Sequence, residues 1–236
     1  MLNRQIRRTA ERVLPDFLLR WLDPFEAFVS ERLQAFSNAL PTPSCVLDAG
    51  AGECRYASLF VRHRYISLDS AVGDGSWDYS RLNTLGDLEQ LPFAPTVFDA
   101  AISVVVLEHT RNPLKVLCET GRVLRPGGKL FLVVPSQWEE HQIPNDFFRF
   151  TRFGVEHLLE QSGFRIETIE PVGGFFWLLA RRCVNLLAFF QGGLKWVLFA
   201  LLAPFFGFLF PVALYFLDGL DRRKEFTLGY VCVASR

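Results

Sequence analysis

The chain has 236 residues, enough for one α/β domain and an appendage, and Lys plus Arg balance Asp plus Glu at 25 each. That neutrality argues against a nucleic-acid binder, which carries a strong basic excess. Cys45, Cys54, Cys118, Cys183 and Cys232 form no CxxC pair and no even framework. This argues against a disulfide scaffold and against a zinc site, so no metal is expected.

Residues 1–43 are predicted as an N-terminal helical cap. Val13, Phe17, Leu18 and Trp21, then Phe25, Phe28, Val29, Leu33 and Phe36, recur at helical spacing. Pro15 and Pro24 divide the stretch into two or three short helices, and Pro41 and Pro43 close it. Arg4, Arg7, Arg8 and Arg12 against Glu11 make a basic lead, which suits either an anionic lipid surface or a solvated helix face. The first apolar stretch, Phe17 to Leu22, is broken by Arg20 and is no secretory signal, so a cytosolic location is expected.

Residues 44–171 alternate strand-like and helix-like segments. Strands are predicted at Cys45–Leu47, Tyr65–Leu68, Ala100–Val106, Leu130–Val134 and Arg165–Ile169, with helices at Pro113–Leu124 and Phe153–Ser162. This alternation implies a parallel sheet covered by helices. The stretch Asp69–Arg81, rich in Gly, Ser and Asp, is expected to cross over with little or no helix.

Residues 172–225 form a greasy insert. Trp196–Leu217 is long enough for a membrane span and has no charge. A single crossing would leave a following sheet strand on the wrong side of the membrane, and Pro204, Gly207 and Pro211 interrupt a helix. A helical hairpin or interfacial pair meets both constraints; packing as a dimer interface or over the sheet is the alternative. Residues 226–236 then supply a final strand, Thr227–Ala234.

The chemistry-bearing segments lie at strand ends. In Val46-Leu47-Asp48-Ala49-Gly50-Ala51-Gly52-Glu53-Cys54 an apolar strand enters a glycine turn, followed by a helical stretch beginning near Arg55. Such a turn lets backbone approach a ligand, and a helix start favours an anionic group. Arg55 stands where a dinucleotide fingerprint needs its third glycine. Asp69 ends the next apolar strand, where a carboxylate can accept hydrogen bonds from both ribose hydroxyls of an adenosine; the plainer role is a turn or helix cap.

Three more segments follow in order: Gly86-Asp87-Leu88-Glu89-Gln90-Leu91-Pro92-Phe93, Phe98-Asp99-Ala100 through Leu107-Glu108-His109, and Arg122-Val123-Leu124-Arg125-Pro126-Gly127-Gly128. With these the sequence resembles the class I S-adenosylmethionine-dependent methyltransferases of the type 11 group, and within it glycan-cluster-like members with a hydrophobic C-terminal insert. The resemblance covers roughly residues 45–171, and the final strand extends it.

The resemblance implies a Rossmann-like seven-stranded sheet with the last strand antiparallel, N-terminal helices capping the acceptor side, and a hydrophobic helical insert before the final strand. It implies S-adenosyl-L-methionine as cofactor. Asp48, Ala49, Gly50, Ala51 and Gly52 would lie against its methionine end, Asp69 would hold the ribose, Asp87 and Leu88 would flank the adenine, and Ser103 would lie near the methionine portion. The Arg125-Pro126-Gly127-Gly128 segment would be a structural turn.

Methyl transfer is an in-line displacement that needs alignment more than any obligatory side chain. An oxygen acceptor gains from a base, and His109 and His141 are the candidate catalytic bases because each follows a strand at the ligand-binding edge. The segment His141–Thr151 resembles the acceptor loop of glycan-cluster relatives. Asp146 and Arg149 are candidate acceptor contacts or an ion pair, and Glu108 is an acceptor contact or the start of a helix. His63 and His157 are expected to be ordinary surface or helix residues.

The expected function is methylation of a hydrophobic or lipid-linked acceptor, a glycolipid or polyprenyl-linked sugar, at the cytoplasmic membrane face through residues 172–217, with no nucleic acid as partner. A soluble small-molecule methyltransferase that dimerises through the insert, and a non-catalytic membrane-associated scaffold, remain open.

Overall fold

The computed structural model describes residues 18, 20, 21, 23–73 and 75–236. The basic lead, and most of the first half of the expected N-terminal cap, lie outside these residues.

Asp23 opens the first labelled helix, α1 (Pro24–Ala39): its Oδ1 accepts the Glu26 N–H at 3.3 Å. Pro24 therefore begins this helix, a position where its missing N–H costs nothing, and the non-helical Asp23 separates it from the helical Arg20 and Trp21, the division the sequence suggested.

The strands are β1 (Cys45–Ala49), β2 (Arg64–Asp69), β3 (Thr84–Leu85), β4 (Phe98–Val104), β5 (Leu124–Pro135), β6 (Arg165–Pro171) and β7 (Gly229–Ser235). Among the described residues they form one seven-stranded sheet in the order β3-β2-β1-β4-β5-β7-β6. The pairs β3–β2, β2–β1, β1–β4 and β4–β5 are parallel, and β5–β7 is antiparallel. The expected class of fold is observed.

Chain order reverses at β1, which has β2 on one side and β4 on the other. Such a reversal opens a crevice beyond the carboxyl ends of the strands, where open α/β sheets bind ligands.

The chain forms two compact units. One comprises Ser30–Glu170 with Gly229–Arg236; the other joins the described residues up to Val29 to Pro171–Leu228. In the first unit, helices α2 (Pro113–Val123) and α3 (Arg152–Gln161) supply Val116, Leu117, Val155 and Leu159 to a core with Leu47, Leu68, Leu130 and Leu132. The side chain of Asn112 caps α2 and that of Thr151 caps α3. Residues alternating with these face the other way: Phe131 meets Phe36 with ring centroids 5.3 Å apart.

Two local expectations need correction. No α-helix follows the glycine turn: residues 52–63 make successive three-residue turns (Ala57 N–H to Cys54 O, Leu59 to Tyr56, His63 to Phe60) and only a short 3-10 helix, Ala57–Phe60. A helix-terminus anion site is therefore absent there, since the aligned amides it needs do not form. The segment Arg125–Gly128 also lies within β5, at a shift of the β4–β5 register between Phe98 and Ala100, instead of preceding the strand. As expected, no helix occupies the described residues between β2 and β3.

The second unit is a helical hairpin. Helix α4 (Phe175–Leu186) runs out, and a helix returns through α5 (Lys195–Pro204), a π-helical turn at Phe205–Leu209 and α6 (Phe210–Leu217). Pro204 and Pro211 flank this turn, where a missing N–H and ring bulk are absorbed by loosening the helix instead of breaking it. Lys195–Leu220 is a 26-residue stretch long and apolar enough to cross a membrane, and 6% of its most apolar window is buried.

The base of the hairpin is a polar clasp. Asp218 accepts the N–H groups of Gly174 (3.0 Å) and Trp177 (3.1 Å), and Asp221 accepts that of Phe175 (2.8 Å). These are the free amides at the start of α4, so the end of the returning helix caps the outgoing one. Lys224 pairs with the buried Asp218, and Trp177 stacks on Tyr215 at 5.5 Å and 11°.

Candidate active site

The turn after β1 is anchored to β2. Gly50 and Ala51 donate their N–H groups to Leu68 O at 2.8 and 3.0 Å, and Gly52 donates to Asp69 Oδ2 at 2.9 Å. The other oxygen, Oδ1, takes the Ala71 N–H at 2.8 Å. Gly50 has φ +90°, and a Cβ there would collide with Val106, so both conformation and space require glycine. The turn thus holds backbone close against whatever fills the crevice.

Asp48 is buried beneath this turn and accepts a hydrogen bond from the Tyr65 hydroxyl. Burial pushes its carboxyl up to about 7; the Tyr65 hydrogen bond opposes this and the charge of Asp69 adds to it. Tyr65 itself is driven upward, by burial first and by Asp48 second.

Asp87 follows two residues after β3, and its neighbour Gly86 donates to Asp69 O at 3.1 Å. Asp48, Asp69 and Asp87 therefore stand at the carboxyl ends of three adjacent strands. Leu88 is buried in the core beneath them, and Ser103 near the end of β4 is 6% exposed with no partner for its hydroxyl. An orphaned hydroxyl, a glycine cradle and a carboxylate at the switch point fit an adenosyl ligand bearing a charged amino-acid end.

A second cluster stands beyond β4 and β5. The 3-10 turn Leu107–His109 and the loop after β5 bring His109 and His141 together, their Nε2 atoms 3.0 Å apart. Glu108 is completely buried, with Oε1 3.4 Å from His141 Nε2 and 3.6 Å from His109 Nε2. Neither Glu108 oxygen has a hydrogen-bond partner within normal geometry. Burial alone would lower the His141 pKa, but Glu108, the Glu139 carbonyl and Asp146 together oppose it, and the shift is upward.

The loop is tied down by its ion pair. Arg149 holds Asp146 through two bonds, 2.6 and 2.7 Å, and donates to the carbonyls of Trp138, Glu139 and Phe148. Burial would raise the Asp146 carboxyl, yet Arg149 and the His141 N–H bring it down to about 2. Phe147 N–H donates to Glu108 O at 2.8 Å, and Phe150 N–H to Pro135 O at 2.9 Å. Phe147 and Phe148 remain exposed while Phe150 is buried.

Four residues near these clusters went unmarked in the sequence: Tyr65, Val106, Trp77 and Asn145. The Trp77 ring lies over Gly52, within 3.2 Å of where a Cβ would stand. An aromatic residue inside a Gly- and Ser-rich crossover was the signal available for it. His63 lies between two loops, Nδ1 accepting the Ser44 N–H (3.2 Å) and Nε2 facing Ser37 O (3.1 Å), while His157 is exposed on α3.

Residues 47–132 match the family model described as a methyltransferase domain. This match and the relatives that follow support a class I S-adenosylmethionine-dependent methyltransferase domain over this segment. A malonyl-[acyl-carrier protein] O-methyltransferase of Herminiimonas arsenicoxydans is 31% identical over 134 residues, covering 54% of this chain and 51% of that protein. A "Probable S-adenosylmethionine-dependent methyltransferase" of Mycolicibacterium smegmatis is also 31% identical over 134 residues, with 52% of each chain covered. The chain thus spans about half the length of these curated relatives.

Among solved structures, a Burkholderia thailandensis 1,6-didemethyltoxoflavin-N1-methyltransferase with bound 1,6-didemethyltoxoflavin and S-adenosylhomocysteine superposes with a TM-score of 0.54 at 17% identity, covering 94% of this chain and 85% of that one. At that identity the likeness establishes the fold of the methyltransferase domain.

Proposed function

We propose that this chain transfers a methyl group from S-adenosylmethionine to a hydrophobic or lipid-linked acceptor at the cytoplasmic face of a membrane. The observation that carries this reading is the pairing of a methyltransferase domain with a hairpin whose apolar side chains face outward.

S-adenosylmethionine supplies an electrophilic methyl group on sulfur. The residues of the chain bind and orient. The turn Asp48–Gly52 and the hydroxyl of Ser103 hold the amino-acid end, Asp69 takes the ribose hydroxyls, and Asp87 with Leu88 bounds the adenine. The acceptor wall is Glu108, His109 and His141, with Asp146 and Arg149 fixing the loop, so a hydroxyl presented there has a proton acceptor within reach.

The hairpin supports the membrane half of the reading. Leu194, Val197, Leu198, Leu201, Phe205 and Leu209 are all exposed, and such a contiguous apolar surface is stable in water only when covered. Arg181 and Arg182 lie midway along α4. In an upright hairpin they would enter the hydrocarbon, whereas in a hairpin lying flat they reach the headgroups. The clasp at Asp218 keeps both ends of the hairpin together, as a segment that enters and leaves one leaflet requires.

Two measurements test the reading. The full chain should float with liposomes of anionic phospholipid and resist high-salt washing, and Leu194→Asp with Leu198→Glu should abolish flotation without lowering Tm, because Leu194 is already 89% exposed. Incubation with labelled methyl donor and fractionated membrane lipids should place label in an organic-extractable product. A salt-stable soluble dimer, or label confined to water-soluble acceptors, would overturn the membrane assignment.

A further inference from the structure

We propose that Glu108, His109 and His141 form a binding site for one divalent transition-metal ion of the zinc type. The carboxylate oxygen and two imidazole nitrogens converge at separations of 3.0, 3.4 and 3.6 Å. Ligands each about 2.0–2.1 Å from a common ion stand about 2.9–3.4 Å apart, so these spacings leave room for an ion with only slight adjustment.

The far nitrogen of each ring is a donor, which fixes the tautomer of the neutral ring. His109 Nδ1 lies 2.5 Å from the Asn145 carbonyl oxygen, which can only accept, so this nitrogen donates and Nε2 bears a lone pair. His141 Nδ1 lies nearer to two acceptors, Glu139 O at 3.2 Å and Asp146 Oδ2 at 3.4 Å, than to the Arg149 Nη2 donor at 3.5 Å. It too is a donor, so in the neutral ring Nε2 carries the lone pair.

With both rings neutral, two imidazole lone pairs and a carboxylate oxygen converge on one point. Three electron-rich atoms at this range repel unless a proton or a metal ion stands among them. A backbone carbonyl or carboxylate on the far nitrogen is also the usual partner of a metal-bound histidine, fixing the ring and raising its basicity.

Charge points the same way. Glu108 is fully buried with both oxygens unsatisfied, a costly state for a carboxylate. Arg149 is paired bidentately with Asp146, so the buried Glu108 carboxylate is not neutralised by it, and a divalent ion would supply the missing positive charge. The histidine side chains are 11% and 10% exposed, an opening through which an ion can enter. The missing CxxC pairs exclude a thiolate zinc site only, not one built from imidazole and carboxylate.

Three protein ligands leave a coordination position for water or an acceptor oxygen. As ligands, the imidazoles would cease to be bases; the ion itself would acidify a bound hydroxyl. The inference goes beyond the proposed function, because metal binding can be read with no methyl donor or acceptor present.

The test uses the full chain, purified, stripped with chelator and titrated with zinc chloride. Expected are one Zn2+ per chain, a Tm raised by several degrees, and visible absorption bands when Co2+ is substituted. Glu108→Gln and His109→Ala should each weaken Zn2+ binding at least tenfold, and His157→Ala on the exposed face of α3 should not. Uptake equal in wild type and both variants would overturn the site, as would a proton-bridged cluster showing no Co2+ spectrum. Should a variant fail to fold, the Co2+ spectrum and stoichiometry of the wild type decide alone.

Discussion

Asp69 reaches across from the end of β2 to accept the backbone N–H of Gly52, at 2.9 Å, so the residue assigned to the ribose also pins the turn assigned to the methionine end. The two halves of the proposed cofactor pocket would therefore share one carboxylate. Asp69→Ala should raise the Kd for S-adenosylmethionine by at least tenfold, read by calorimetry. Asp69→Asn, which retains an acceptor for Gly52, should cost less. Unchanged affinity in the alanine variant would remove the ribose assignment.

Gly50 is held by two independent constraints, a positive φ and the neighbouring Val106. Gly50→Ala should destabilise the chain by about 2–4 kcal/mol, the combined size of overpacking and a left-handed alanine. Adding Val106→Ala should return only the overpacking part. Urea denaturation of the single and double variants measures both.

Asp48 makes stability depend on pH with a definite sign. Its buried carboxyl is pushed up to about 7, so the folded state holds the proton that the unfolded state releases near pH 4. The group stabilises the fold fully below about pH 4, and that contribution drains as pH rises towards 7. Asp48→Asn removes the ionisation and keeps an acceptor for Tyr65. Relative to wild type, its Tm without ligand should gain about 5–10 °C between pH 4 and pH 8. A difference that is flat across this range would show that Asp48 titrates normally.

Asp218 carries the base of the hairpin. Asp218→Ala leaves the Gly174 and Trp177 amides uncapped and Lys224 without its carboxylate, while Asp218→Asn keeps an acceptor. The alanine variant should lose about 1–3 kcal/mol. Trp177 stacks on Tyr215, so near-ultraviolet circular dichroism should report the loosening, with the asparagine variant intermediate.

Where hydrophobic pattern and glycine position carry the information, the sequence sufficed. β1, β2 and β4 are apolar runs ending at or beside Asp48-to-Gly52, Asp69 and Ser103. β3 escaped notice because two residues hold no periodicity; it exists through its pairing with Leu68 and Asp69. The missing helix after Gly52 could not be foreseen, since Arg55–Phe60 has acceptable helix formers and the 3-10 turns follow from local backbone geometry. At the second cluster both histidines were visible, but nothing in a separation of 32 positions shows two rings meeting edge to face. Glu108 was ambiguous in the sequence because burial of a carboxylate is decided by tertiary packing.

The position of β7 in the sheet carries a consequence for biosynthesis. It lies between β5 and β6, both of which precede the hairpin in the chain, so neither can settle beside it until the hairpin has been translated. At 5–20 residues per second the intervening Pro171–Leu228 takes roughly 3–12 s to emerge. Throughout that interval a greasy segment hangs from an unfinished sheet with an open strand edge. The nascent chain thus faces its greatest aggregation hazard before its enzyme core can close, and early capture of the hairpin by lipid or chaperone would serve folding as much as destination.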